Sequence, residues 1–199
     1  MGMHRIAALL LALLLAACSS GPPPKVVAAP GEGVAVPARP DGASASRALP
    51  GPVRGPVRGA LIADYLLVDK SDRLLIAYAG GQPIRAYRGI QFGDAPMGHK
   101  RFQGDERTPE GRYVIDTRNP RSSYHLSLRI SYPNAADRAH AARHGRSPGG
   151  DIFIHGQPNW LAAGRMPGDW TDGCIALSNG EIEELWQIVP DGTVIDIRP

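Results

Sequence analysis

Short strand-like runs broken by strong turn signals dominate the chain from Tyr65 onward, and that rhythm constrains it to a mainly β fold. Tyr65 to Asp69, Arg73 to Ala79 and Gln82 to Phe92 are such runs, separated by Lys70-Ser71-Asp72 and Gly80-Gly81, and together they predict a β-meander. A Gly-rich loop through Gly93, Gly98 and Gly104 follows, and Thr108-Pro109-Glu110-Gly111 turns the chain into a predicted strand from Arg112 to Thr117. Tyr124 to Ser131 sets Tyr, Leu, Leu and Ile against His, Ser, Arg and Ser, the period-2 pattern of a half-buried strand. Asn134 to His144 is Ala-rich and predicts a helix. Asp151 to His155 is a short predicted strand with Phe153 and His155 on one face and Ile152 and Ile154 on the other. The loop from Gly156 to Asp169, with Trp160, is expected to wall a cleft. Ser178 and Glu181 form a capping box ahead of the apolar stripe Ile182, Leu185, Trp186 and Val189. Pro190-Asp191-Gly192 ends that second helix, and Thr193 to Ile197 is the final predicted strand.

Composition matters mainly at the N-terminal end. Residues 1–17 have the form of a signal segment: His4 and Arg5 make a short n-region, and Ile6 to Ala17 is an unbroken apolar run too short to span a bilayer as a stable helix. The run ends in Leu15-Ala16-Ala17-Cys18, which resembles the lipobox of bacterial lipoproteins. That resemblance implies export, lipidation of Cys18 and an N-terminal lipid anchor in a membrane; Ser19 implies the outer membrane, with the protein in the periplasm. A plain secretory signal with an incidental cysteine is the alternative. Residues 18–59, rich in Pro, Gly, Ala and Ser, lack the apolar spacing that offsets chain ordering, and are expected to form a tether to a domain at 60–199. The net charge is only +3 over 199 residues and the arginines are scattered, so no nucleic-acid partner is indicated.

With Cys18 assigned to lipidation, Cys174 is the remaining cysteine, and an unpaired thiol in an oxidising compartment is flagged as reactive. A thiol attacks a carbonyl as the thiolate, so it needs a base, and the developing oxyanion needs donors. His155 is the candidate base. Gly173 permits close backbone approach, and the N–H groups of Gly173 and Cys174 are the expected oxyanion donors. Asp172 can orient a histidine or an incoming amine; a turn residue bonding its own backbone is the alternative. A buried small hydrophobe for Cys174 and a satisfied core histidine for His155 are the competing structural readings. A metal site drawing on His99, His125, His144, His155 and Cys174 is a further alternative and is not expected, nor is a cofactor.

Ile154-His155-Gly156 followed by Thr171-Asp172-Gly173-Cys174-Ile175-Ala176-Leu177-Ser178-Asn179 resembles the signature of the L,D-transpeptidase catalytic domain family. Gly98-His99-Lys100 and Thr108-Pro109-Glu110-Gly111-Arg112-Tyr113 are similar to further family segments, in the same order. The resemblance, covering Leu61 to Pro199, implies a mainly β sandwich or barrel with two helices, acting on peptidoglycan stem peptides. It implies a thioester formed after meso-diaminopimelate of a tetrapeptide donor and passed to an amine. It assigns Cys174 as nucleophile, His155 as base and Gly173 to the oxyanion turn. The carbonyl of Gly156 is expected to hold the imidazole, and Trp170, Thr171 and Asp172 to bind or orient substrate. The stretch Gly104 to Gly111 is expected to support the site without taking part in the chemistry.

Two departures concern the acceptor. The family often has His before Gly-Cys and Arg two residues after Cys, where this chain has Asp172 and Ala176. Asp-Trp-Thr-Asp-Gly-Cys-Ile-Ala, with Ser131-Tyr132-Pro133-Asn134, is similar to a branch that includes an amidase releasing lipoprotein from murein. An amine acceptor makes the chain a transpeptidase. Water makes it a murein amidase or L,D-carboxypeptidase, with murein-linked lipoprotein as a partner in the first case. A non-catalytic wall-binding lipoprotein is the reading from another class.

Overall fold

The computed structural model describes residues 61–199. The expected signal segment 1–17, the tether 18–59 with its lipidation residue Cys18, and residue 60 lie outside the described residues. The elements in chain order are β1 (Tyr65–Asp69), β2 (Leu74–Ala79), β3 (Gln82–Arg88), β4 (Gly111–Ser122), β5 (His125–Ile130), α1 (Ala135–Arg143), β6 (Ile152–His155), β7 (Ile175–Ala176), α2 (Asn179–Ile188) and β8 (Val194–Arg198).

The strands form one eight-stranded sheet in the order β3-β2-β1-β8-β4-β5-β6-β7. The β1–β8 and β6–β7 pairs are parallel and the others antiparallel. The sheet curls until its two ends meet: Gln91, just past β3, bridges Ala176 of β7, and Gly93 bridges Thr171. Inward-facing Leu66, Val68, Leu75, Ile115, Leu128, Ile130, Ile154, Ile175 and Ile195 form the core. Ile182, Leu185 and Ile188 of α2 close over it, as the apolar stripe requires. Truncating Leu185, which is fully buried, removes contacts typically worth about 2–5 kcal/mol.

The two helices are held differently. Ser178 caps α2 in a box with Glu181, and apolar burial does the rest. In α1, only Asp137 and Ala141 are buried, so a polar anchor takes the place of an apolar face. Asn134 caps α1, accepting from Ala136 and Asp137 N–H, while the Asp137 carboxylate takes the Asn134 N–H and the Tyr113 hydroxyl at 3.0 Å.

The expected strands differ from the observed ones at three places. β3 stops at Arg88, short of Phe92, because Gly89 takes a positive φ of 64° and turns the chain toward β7. β4 runs on to Ser122, because its polar end is a hairpin arm whose register against β5 shifts between Asn119 and Ser122, where no apolar period marks it. β7 is two residues long and lies inside the cysteine motif, too short for any periodicity to announce it.

Candidate active site

The turn carrying Cys174 is built by backbone contacts that tolerate almost no added atoms. The N–H groups of Trp170 and Thr171 both donate to Phe92 C=O at 3.0 Å. Thr171 Oγ1 donates to Cys174 C=O at 2.8 Å and accepts from Gly173 N–H at 3.2 Å, closing the turn on itself. Gly173 has φ of +117°, and a Cβ there would lie 2.3 Å from Arg107 O. Its carbonyl accepts from Thr108 Oγ1 at 2.9 Å, so the Thr-Pro-Glu-Gly segment supports the Cys174 turn directly. A Cβ at Gly93 would meet Glu106 O at 2.2 Å and Gly173 N at 2.8 Å, so that glycine is fixed by the same turn.

Strand register then sets the cysteine beside the histidine. The parallel pairing matches Ile154 with Ile175 and His155 with Ala176. Cys174 and Ala176 share a face, so the thiol stands diagonally across from His155 on one side of the sheet. Ile152 and Ile154 point the other way into the core. His155 is 3% exposed. Its Nδ1–H donates to Gly156 C=O at 2.7 Å, which leaves Nε2 as the proton-accepting atom. A Cβ on Gly156 would come within 2.7 Å of Asn179 Oδ1, and that oxygen accepts from Gln157 N–H at 2.8 Å. The later Asn of the motif therefore holds the chain that leaves the histidine. Trp170 meets the imidazole edge-to-face at 5.6 Å between centroids.

The resting pair is neutral. Burial pushes the His155 imidazole down to about 4, opposed by the Gly156 carbonyl. Burial pushes the Cys174 thiol up to about 12; Asp172 and Asp151 add to this, while the Phe153 N–H and Lys100 oppose it. The sulfur accepts from Phe153 N–H at 3.4 Å, and the thiol is directed to Asp151 C=O at 3.6 Å. The thiol proton thus remains on sulfur, directed at a backbone carbonyl. The Gly173 amide donates to Thr171 Oγ1 within the turn. Asp172 is exposed beside the nucleophile.

Several contributors escaped the sequence reading. Tyr124 stacks on His155 at 4.6 Å and 29°, and nothing in a strand's alternation shows which ring it will cover. Arg73 pairs with Asp169 through two 2.7 Å bonds, and Asp169 Oδ1 takes the Phe92 N–H, fixing the entry to the Cys174 turn. Gln91 and Gln157, both buried, bond each other and the 156–169 loop through Met166. That loop carries Trp160, which is 68% exposed. His140 and His144 have the one-turn helical spacing that can hold a metal, but they pack in tilted and edge-on contacts against each other and Phe102. Among the described residues no group of three or more His, Cys, Asp or Glu could hold a metal ion.

A thiol and an imidazole thus lie on one face of neighbouring strands, at the seam of a curled sheet. Residues 63–197 match the model of the L,D-transpeptidase catalytic domain (YkuD), and the chain belongs to that family. Its members are cysteine-dependent enzymes that modify peptidoglycan and act on stem peptides. The chain is 29% identical over 136 residues to YafK of Escherichia coli (strain K12), a candidate L,D-transpeptidase by its name. That match covers 65% of this chain and 48% of YafK, so the chain spans about half the length of this relative. The crystal structure of the helical cell shape determining protein Pgp2 (K307A mutant) from Campylobacter jejuni is similar at 30% identity and a TM-score of 0.55. It is covered over 47% of its length by 69% of this chain. A second Pgp2 structure gives 29% identity and a TM-score of 0.53, over 71% of this chain and 52% of that one.

Proposed function

We propose that this chain is a peptidoglycan L,D-transpeptidase, lipid-anchored through Cys18 on the periplasmic side of the outer membrane. The observation that carries the catalytic part is the β6–β7 register, which sets Cys174 and His155 on one face with the imidazole tautomer chosen by Gly156. The thiol proton passes to His155 Nε2 as sulfur attacks the carbonyl of meso-diaminopimelate in a tetrapeptide stem. The C–N bond breaks, His155 returns the proton to the departing amine, and the acyl group is held on sulfur as a thioester. An acceptor amine then attacks, loses a proton to His155 and releases Cys174. The Cys174 amide is the oxyanion donor in this reading. Kinship with a cell-shape determinant, Pgp2, supports a role in wall remodelling.

A second reading keeps the thioester and replaces the amine with water. Ala176 favours it: the residue is fully buried directly opposite His155, so the position where the family often has an arginine offers no cation to hold an acceptor's polar groups. Mass spectrometry of muropeptides with tetrapeptide stems, and of lipoprotein-linked muropeptides, treated with wild type or Cys174→Ala, decides between them. Cross-linked or amine-exchanged products lost in Cys174→Ala establish transpeptidation. Shortened or lipoprotein-free stems without exchange establish hydrolysis. No change on any substrate, with folded protein and reduced thiol, sinks both and leaves the wall-binding lipoprotein.

A further inference from the structure

The structure assigns to Tyr124 the part of a positioning residue: its ring clamps the His155 imidazole and receives the positive charge that forms when Cys174 gives up its proton. This rests on the Cys174–His155 pairing proposed above. Three observations carry it. The phenol ring stacks on the imidazole with centroids 4.6 Å apart and planes inclined by 29°, close enough for face contact. Trp170 packs against both rings, at 5.7 Å from Tyr124 and 5.6 Å from His155, so the imidazole is boxed and cannot turn about its χ2 without displacing an aromatic neighbour. The indole Nε1 is buried without a hydrogen-bond partner, so ring contact holds that side chain in the box.

The electrostatic need is specific to this histidine. Among the described residues no carboxylate backs its Nδ1; a single backbone carbonyl does. Burial therefore acts on the imidazolium with little to offset it. An aromatic face within about 6 Å of a cation attracts it, and the attraction grows when water is excluded. Tyr124 supplies that face at the moment the proton moves from Sγ to Nε2, and the same contact stabilises the charged intermediate until the amine leaves. Burial also raises the phenol itself, as do Cys174 and Asp172, so the hydroxyl stays protonated and the ring neutral during turnover. The charged groups acting on the pair are Asp172 and Asp151, which oppose the thiolate, and Lys100, which favours it. None of them replaces the ring contact on the imidazole side.

The test uses alkylation of Cys174 by iodoacetamide in the reduced full chain, which needs no peptidoglycan. The part of the rate lost in His155→Ala is the histidine-assisted component, measured from mildly acidic to neutral pH. Tyr124→Leu is expected to lower that component by about threefold to thirtyfold, while sparing the rate in strong alkali, where free thiolate reacts. Tyr124→Phe keeps the ring and is expected to restore the component. An unchanged component in Tyr124→Leu overturns the assignment, and so does a Tyr124→Phe loss as large as that of Tyr124→Leu, which would move the role to the hydroxyl. If Tyr124→Leu does not fold, phenylalanines of increasing fluorination at position 124 keep the shape and weaken the π face. A stepwise fall then supports the clamp and a flat series overturns it. Absence of muropeptide turnover with the histidine-assisted component intact counts against the proposed reaction alone.

Discussion

Two histidines sit in motif positions of this fold and meet opposite environments. His99 has both nitrogens engaged: Glu110 N–H donates to Nδ1 at 2.8 Å, and Nε2 bonds Asp137 Oδ1 at 3.0 Å. Asp137 in turn takes the Tyr113 hydroxyl and the Asn134 N–H, so every member of the cluster is partnered. His155 has one carbonyl at Nδ1, aromatic rings around it, and Nε2 left for the proton. Burial alone does not separate a structural histidine from a chemical one. What separates them is whether the second nitrogen is already committed, and the clearest way to break the comparison is to remove each in turn.

The largest expected effect is on chemistry. His155→Gln is expected to lower kcat/KM on muropeptides by about a thousandfold, within the range general acid–base catalysis supplies. His99→Gln is expected to leave the iodoacetamide rate at Cys174 within about twofold while lowering the urea midpoint, since it leaves Asp137 without one of its donors. Equal losses of activity in the two variants would erase the distinction.

The next effect is on stability against pH. A histidine near 6.5 when unfolded and about 4 when folded is neutral in the native state, so its contribution is full above the unfolded value and is lost as pH falls toward the folded one. The loss for His155 is on the order of 3 kcal/mol between neutral pH and pH 4, and His155→Gln should lack it. Urea unfolding of both proteins at the two pH values measures it. The Asp137 cluster titrates in a lower window. Burial opposes its ionisation, but the bonds from His99, Asn134 N–H and Tyr113 outweigh that and hold the carboxyl below its usual range. Its contribution is therefore present above the ordinary carboxylate pKa and lost as pH falls through the depressed one. Coincident acid limbs in wild type and His155→Gln would show that the carboxylates alone set acid stability.

The same contrast explains what could be read from the chain before its structure. The second helix was legible from its local cap, Ser178 with Glu181, and the first from its alanines, while its own cap, Asn134 with Asp137, is seen only in the structure. The strands were legible where one face is buried, and blurred where β4 is polar on both faces. Cys174 and His155 stood out as candidates because a thiol with a base belongs in a recognisable sequence context. Tyr124 and the Arg73–Asp169 pair were not, since each acts across a gap in sequence that only the closed sheet brings together. His99 and His155 each precede or follow a glycine in a family-like segment, and no local pattern tells which one keeps a nitrogen open.

The smallest effect sharpens the comparison at two tyrosines. Tyr113 serves its cluster through the hydroxyl, which bonds Asp137 Oδ2 at 3.0 Å while the ring is packed at 1% exposure. Tyr124 serves the other cluster through its ring. Tyr113→Phe removes one donor to a buried carboxylate and keeps the packing, so it is expected to cost about 1 to 2 kcal/mol near neutral pH. That cost should shrink in acid, because protonating Asp137 removes the charge that the hydroxyl stabilised, and the acid limb of unfolding should move upward in pH. Chemical denaturation at neutral and acid pH reads both. A cost that stays constant with pH would mean the hydroxyl acts through packing or through its longer 3.4 Å contact with Glu110 C=O, and the carboxylate would then owe its ionisation to His99 and the helix cap.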